Sequence, residues 1–423
     1  MKNITVIALL LISLSGTNVF GQDEANSSSV DTLTIRDAIK FAAGHHPGLL
    51  QLRSEILALT GARKANSGLS DPVISYAREG IGDPSFSDYS EQRLGISQEI
   101  RFPGFTSESD AAFSSRIEAL ELQYRNRELQ LREEVKKKYA ELQLGLEKLN
   151  FSRNEYGIVS KVYSVVQEKY KSGEATRLDL LKAKINMDEA SNLISEAQFA
   201  VHNSRYSLFN LIGLETEGQK YSILFPDSLT YQSVTISQDE ILSSFYEMPG
   251  VLSKMKMIDA SAKDVAAAKL SFYPDIKLNL FGQNIGTGFK SIGLEIGFSV
   301  PLWFGSNQNG MIEEAEARLS GARESYREEL LLMKKEVEIA WHGYEAAKQN
   351  LDRYANGILR DSKELLALTT EGYKLGEIDF LNLLEAQRTY LTSSQNYYNY
   401  LLEYHFRLIE LEKFSTKEFL YNE

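Results

Sequence analysis

The chain carries one design twice, and that repeat limits its possible folds more than any local motif. Pro47-Gly48 stands 25 residues ahead of Pro72 in the first half, and Pro249-Gly250 stands 25 residues ahead of Pro274 in the second, an offset of 202 at both ends. Glu134-Val135 returns as Glu336-Val337 at that offset, and YKSGEATRLDLLKA (170–183) returns as YKLGEIDFLNLLEA (373–386) at an offset of 203. Whatever one half builds, the other must build as well. Residues 22–220 form the first repeat and 221–423 the second, each in the order helix, hairpin, long helix, tip, helix.

Alternation defines the hairpins. In RLGISQEIRF, Leu94, Ile96, Ile100 and Phe102 share one face, while Arg93, Gly95, Ser97, Glu99 and Arg101 share the other. Ile292, Leu294, Ile296, Phe298 and Val300 alternate with Ser291, Gly293, Glu295, Gly297 and Ser299 in the same way. With their partners the spacing predicts strands at about 72–80, 92–102, 274–284 and 291–300, a period of two throughout. Strands of this length cross a bilayer when tilted, and an apolar face opposed to a small, polar face suits a barrel wall between lipid and lumen. A half-buried soluble hairpin would show the same alternation. The strand count separates the two: four strands cannot close a membrane barrel, since the smallest bacterial ones have about 8, so transmembrane strands require several chains in one barrel.

The rest is helical. No proline interrupts residues 106–170, where Val135, Leu142, Leu149, Tyr156, Tyr163 and Tyr170 recur every seven residues; Val337, Tyr344, Leu351, Ile358 and Leu365 do so in a second long helix over 306–372. At 1.5 Å per residue each is a rod on the order of 100 Å long, with coiled-coil spacing. Shorter helices over about 48–69 and 177–211 cover the first rod end to end. Gly173 and Gly376 turn the chain at the tips, where reversals favour positive φ. Pro103 and Pro301 end the strand register and preset φ for a helix start, with Gly104 and Gly305 allowing the swing from wall to helix. Phe102, Phe105, Trp303 and Phe304 fall where aromatic rings favour a membrane interface.

Residues 1–21 have the shape of a secretory signal peptide: one lysine, an apolar run from Ile4, then small and polar residues before Gln22. The chain contains no cysteine, which removes disulfides, thiolate metal sites and a lipidated N-terminal cysteine. With 58 acidic against 46 basic residues it is no general nucleic-acid binder. No phosphate loop, nucleophile elbow or zinc-protease motif is present, so the expectation is a non-enzyme without cofactor or metal. The pair His45-His46 reads as a surface helix junction.

In its duplication, its two strand pairs, its Y-x-x-G…L-L-x-A tips and its S-Q-E-I exit to proline, the chain resembles the outer-membrane efflux proteins of the TolC type. The resemblance covers nearly the whole mature chain. It implies a mainly α fold with a small membrane β portion, a homotrimer giving four strands per chain to a twelve-strand barrel, and a helical tunnel across the periplasm. It also implies a place in the outer membrane, in contact with its lipid, and two partners: a periplasmic adaptor and an inner-membrane pump of the resistance-nodulation-division class. GISQEI…PG resembles the branch that serves heavy-metal cation pumps, and the missing cysteine places the chain with unlipidated members. By the same resemblance, Asp179, Asn382 and Glu385 ring a gate at the periplasmic tips. Asn382 stands where relatives often carry aspartate. Tyr373 lies beside that gate, as a lock or as core packing. Lys171, Gly173, Glu174, Lys374, Gly376 and Glu377 would form the adaptor-docking tips. The reading of different class is a coiled coil of the periplasm or cell surface that forms no pore.

Overall fold

The computed structural model describes residues 32–81, 90–214, 223–285, 289–415 and 418–420; the expected signal peptide lies outside them. The hairpins join into one antiparallel sheet of β1 (Val73–Glu79), β2 (Glu91–Ile100), β3 (Ile276–Ile285) and β4 (Phe289–Phe298), in that spatial order. The register lines up Ile74, Ile96, Leu280 and Leu294 in one row across all four strands, and Tyr76, Leu94, Gly282 and Ile292 in the next on the same face. These apolar side chains are exposed, Ile292 to 84%. Rows of the opposite face read Val73, Ser97, Asn279, Glu295 and Ser75, Gly95, Phe281, Gly293. Val73 and Phe281 are apolar members of that otherwise small and polar face, and Phe281 is the larger. Its ring lies so close over Gly293 that a Cβ there would collide with it, and the Arg93 guanidinium covers it at 4.6 Å from the centroid.

Both junctions depart from the expectation in detail. β2 stops at Ile100, two residues early, because the Phe102 N–H turns away to donate to Asp275 Oδ1 at 2.9 Å. Pro103 is then the first residue of helix α3, as a proline with preset φ can be. Gly104 is required at that point, since a Cβ would come within 2.7 Å of the Phe102 ring. Pro301 starts no helix: a turn occupies 302–306 and the next long helix begins at Asn307.

In chain order the helices are α1 (Ile35–His45), α2 (Pro47–Ser67), α3 (Pro103–Lys171), α4 (Arg177–Ile212), α5 (Gln238–Ser243), α6 (Pro249–Leu270), α7 (Asn307–Arg353), α8 (Leu359–Leu375) and α9 (Phe380–Glu412). At 69 residues α3 is a rod roughly 100 Å long. Its counterpart is not continuous, because a π-helical turn over Tyr354–Ile358 divides α7 from α8. The repeat accounts for the turn. Its offset changes from 202 at Val337 to 203 at Tyr373, and a π turn takes up one surplus residue without breaking the helix. The buried seam slips accordingly. Val337, Tyr344 and Leu351 are buried as expected, whereas Ile358 and Leu365 are exposed and Ser362, Leu366, Thr369 and Tyr373 take over. In α3 the seam below Leu149 runs through Glu155, Val159, Val162 and Val166 instead of Tyr156, Tyr163 and Tyr170. An α-helix drifts by about 20° per heptad against a strict seven-residue repeat, which moves the seam by a position along so long a rod.

The largest cores lie midway along the rods. One joins α1 to the middle of α3 and the end of α4 around Val135, Tyr139 and Leu208; the other joins α7 and α9 around Val337, Tyr344 and Tyr404. A strap over 223–236 crosses both. Asp227 accepts from the Ile35 N–H at 3.1 Å and lies 2.5 Å from the Tyr139 hydroxyl. Tyr404 donates to the Gln232 carbonyl at 2.8 Å and Tyr344 to that of Val234 at 2.7 Å. Nε2 of His405 lies 3.0 Å from the Thr230 carbonyl, and burial lowers the pKa of that imidazole to about 4. The Lys136 ammonium meets Glu412 at 2.6 Å with both side chains buried.

Candidate functional site

The tips are built by local rules that the two halves share. Gly173 and Gly376 adopt φ of +83° and +80°, the left-handed region that an L side chain resists. Each tip then restarts a helix with a side-chain cap. Thr176 accepts from the Asp179 N–H at 3.1 Å while the Asp179 carboxylate accepts from the Thr176 N–H at 3.1 Å and its hydroxyl at 2.6 Å. Asp379, the counterpart of Thr176, accepts from the Asn382 N–H at 2.9 Å. Asp179 is therefore partly committed to holding the start of α4. Asn382 and Glu385 are exposed on one face of the first turns of α9.

Tyr373 is a core residue. Only 7% exposed, it sits with its ring centroid 5.6 Å from that of Phe380 and under the Lys169 ammonium at 4.9 Å. Lys169 also donates to the Tyr373 carbonyl at 2.9 Å, tying the end of α3 to the end of α8. Burial first, and the negative charge of Asp179 second, hold the Tyr373 phenol above its ordinary pKa. Its counterpart Tyr170 is 40% exposed, so the halves diverge here. Lys171, Gly173, Glu174, Lys374, Gly376 and Glu377 all lie exposed around the two turns. Between α3 and α8 a largely apolar groove of about 140 Å³ opens beside them, lined by Ile158, Val162, Val165 and Tyr373 and closed by Leu383.

Two residues of this region escaped sequence reasoning. Lys182 stands at the position of Glu385 at the 203 offset, so the equivalent sites of the two tips carry opposite charges. Glu155 is 3% exposed in the α3 seam, and its Oε2 has no hydrogen-bond partner among the described residues. Burial raises its pKa from 4.5 to about 6. The folded state thus holds this proton more tightly than the unfolded chain. Its stabilising share is complete below pH 4.5 and is lost as pH rises through 6, at a cost on the order of 2 kcal/mol per chain at neutral pH. Glu155→Gln is expected to raise the thermal midpoint at pH 8 and to leave it unchanged at pH 4. Equal pH slopes for variant and wild type between 4 and 7 would assign the carboxylate an unrecognised partner.

No helix among the described residues is long and apolar enough to cross a membrane. The exposed apolar rows belong to the sheet. The outer membrane efflux protein family model matches residues 60–214 and 249–415, most of both halves.

The chain belongs to the outer membrane efflux protein family.

This family consists of outer-membrane channels, and neither the fold nor the matches favour a coiled coil without a pore. The chain is 22% identical over 228 residues to the outer membrane efflux protein BepC of Brucella suis, a match spanning 51% of this chain and 47% of that protein. It is 19% identical to the cobalt-zinc-cadmium resistance protein CzcC of Cupriavidus metallidurans, over 84% of each. Its fold superposes on the open state of the MtrE outer membrane channel of Neisseria gonorrhoeae with a TM-score of 0.75 at 17% identity, covering 90% of this chain and 88% of that one. Membership of the efflux family makes the chain an outer-membrane protein whose helices extend into the periplasm.

Proposed function

We propose that this efflux family member is the passive exit duct of a tripartite efflux system. Three copies close a twelve-strand barrel in the outer membrane and continue it as a helical tunnel. The observation that carries this is the four-strand sheet with both edges unpaired among the described residues and one apolar face in the open. A single such sheet leaves ladder groups unsatisfied in lipid, which the bilayer does not tolerate. An inner-membrane pump of the resistance-nodulation-division class loads the duct through a periplasmic adaptor. The adaptor docks at the exposed tip residues Lys171, Gly173, Glu174, Lys374, Gly376 and Glu377, and its apolar side chains enter the groove between α3 and α8. The likeness to CzcC and the GISQEI…PG junction support divalent heavy-metal cations as the cargo class. The mature chain is unlipidated.

Transport here needs no bond chemistry, only a path and a gate. Three copies of Glu385 around the tunnel axis attract cations and repel one another, Lys182 offsets part of that charge, and the neutral Asn382 lightens the ring further. Glu385→Ala is expected to lower the cation-to-anion permeability ratio about two-fold in ~0.15 M salt, measured as reversal potential across planar bilayers. An unchanged ratio together with unchanged conductance would remove Glu385 from the constriction. Fractionation tests the channel reading as a whole: the protein should need detergent for release from outer membranes, and full recovery in the soluble periplasm would end that reading.

A further inference from the structure

We infer that Leu302-Trp303 of one chain seats in a hollow at the foot of β1 in the next chain, so that each junction site is completed by a second copy. The inference rests on the trimer proposed above. β1 and β4 are the two edges of the sheet, and they run antiparallel, so the start of β1 and the end of β4 lie at the same end. In a closed barrel of three chains β4 of one must therefore pair with β1 of the next. The chain leaving β4 then passes about 5 Å from the chain entering β1, the spacing of neighbouring strands.

The two edges are complementary in what they expose. Beyond β4, Val300, Leu302 and Trp303 are 70–74% exposed, an apolar wedge that the described residues leave largely uncovered. Ahead of β1 the segment around Ser70 is pinned to the end of β2: Gln98 Nε2 donates to the Ser70 carbonyl at 2.7 Å and Ser70 Oγ to the Glu99 carbonyl at 2.9 Å. Behind it lies an open hollow of about 550 Å³ bounded by Leu69, Ile100, Pro103, Thr106, Glu99 and Arg101. Its walls mix apolar and charged groups. An acyl chain would fill only the apolar part and leave the charges facing hydrocarbon. An indole supplies an apolar body, an N–H donor within the chemistry of a carboxylate, and a π face for a guanidinium. Arg101 already lies over one aromatic ring, that of Phe105, at 5.8 Å. The helices agree, since α2 beside the hollow and the start of α7 below the wedge are the largely exposed margins of the same chain.

The full chain contains no cysteine and two tryptophans, which gives clean probes. The double variant Trp303→Cys, Leu69→Cys, treated in outer membranes with a short bis-maleimide, is expected to run as covalent dimers and trimers on denaturing gels. The pair Trp303→Cys, Leu50→Cys, with its second site at the far end of α2, should stay monomeric there. In the variant Trp341→Phe, Trp303 is the remaining tryptophan, and brominated phospholipids should quench it weakly. Strong quenching places the indole in lipid and overturns the inference, as does absence of cross-linking in particles that light scattering sizes as three chains. Particles sized as one chain would overturn the trimer reading as well, so the two failures are distinguishable.

Discussion

Leu280→Lys is expected to abolish accumulation of the protein in the outer membrane, whereas Asn279→Lys, one residue earlier, should leave it close to normal. Leu280 is the third member of the row Ile74, Ile96, Leu280, Leu294 and is 52% exposed. On the lipid side of a barrel, lysine near the bilayer midplane costs about 2–4 kcal/mol, and in the proposed trimer three copies bring that to roughly 10 kcal/mol per channel. A penalty of that size matches the whole stability of many folded proteins. Asn279 points to the opposite face, where its Nδ2 donates to Glu295 at 3.1 Å, and a lysine there keeps an acidic partner. Immunoblots of detergent-extracted outer membranes read both variants. Equal yields would show that the apolar rows do not face lipid.

Lys136→Met is expected to lower the thermal midpoint by about 5–10 °C and to open the C-terminal segment to protease. Lys136 and Glu412 are buried to 3% and 8% exposure of their side chains. The Glu412 carboxylate also accepts from the backbone N–H groups of Phe419 and Leu420 at 2.7 and 2.8 Å, so it clamps the chain end against α3. Removing the cation leaves a carboxylate in a dry site, which costs about 3–5 kcal/mol. Adding Glu412→Gln removes the orphan charge and keeps an acceptor for the two amides, so the double variant should recover most of the loss. A double variant as unstable as the single one would mean that the lysine acts through its packing and not through its charge.

How much of this was legible depended on the kind of pattern involved. Period-two alternation at Ile292, Leu294 and Ile296 announced a two-faced sheet, and the proline-free run after Pro103 announced the rod. Both are properties of single elements. The π turn was half visible: the offset step from 202 to 203 records one surplus residue but not where the helix absorbs it. The strap over 223–236 was invisible, because Tyr344 reads as an apolar heptad residue while its hydroxyl holds a carbonyl of a segment with no period at all. Glu155 escaped notice for a related reason. On a helix this rich in charge a carboxylate looks solvated, and only drift of the seam carries it inside. At the tips, the T-x-x-D box of Thr176 and Asp179 and the pairing of Lys182 with Glu385 were legible in the repeat and went unread.

Native mass spectrometry of the protein released from detergent micelles counts the chains that share one wall. Three chains per particle is the predicted result, with the particle dissociating only as the sheet unfolds. A folded single chain that retains its β signal and shows no higher species at any detergent concentration would contradict it.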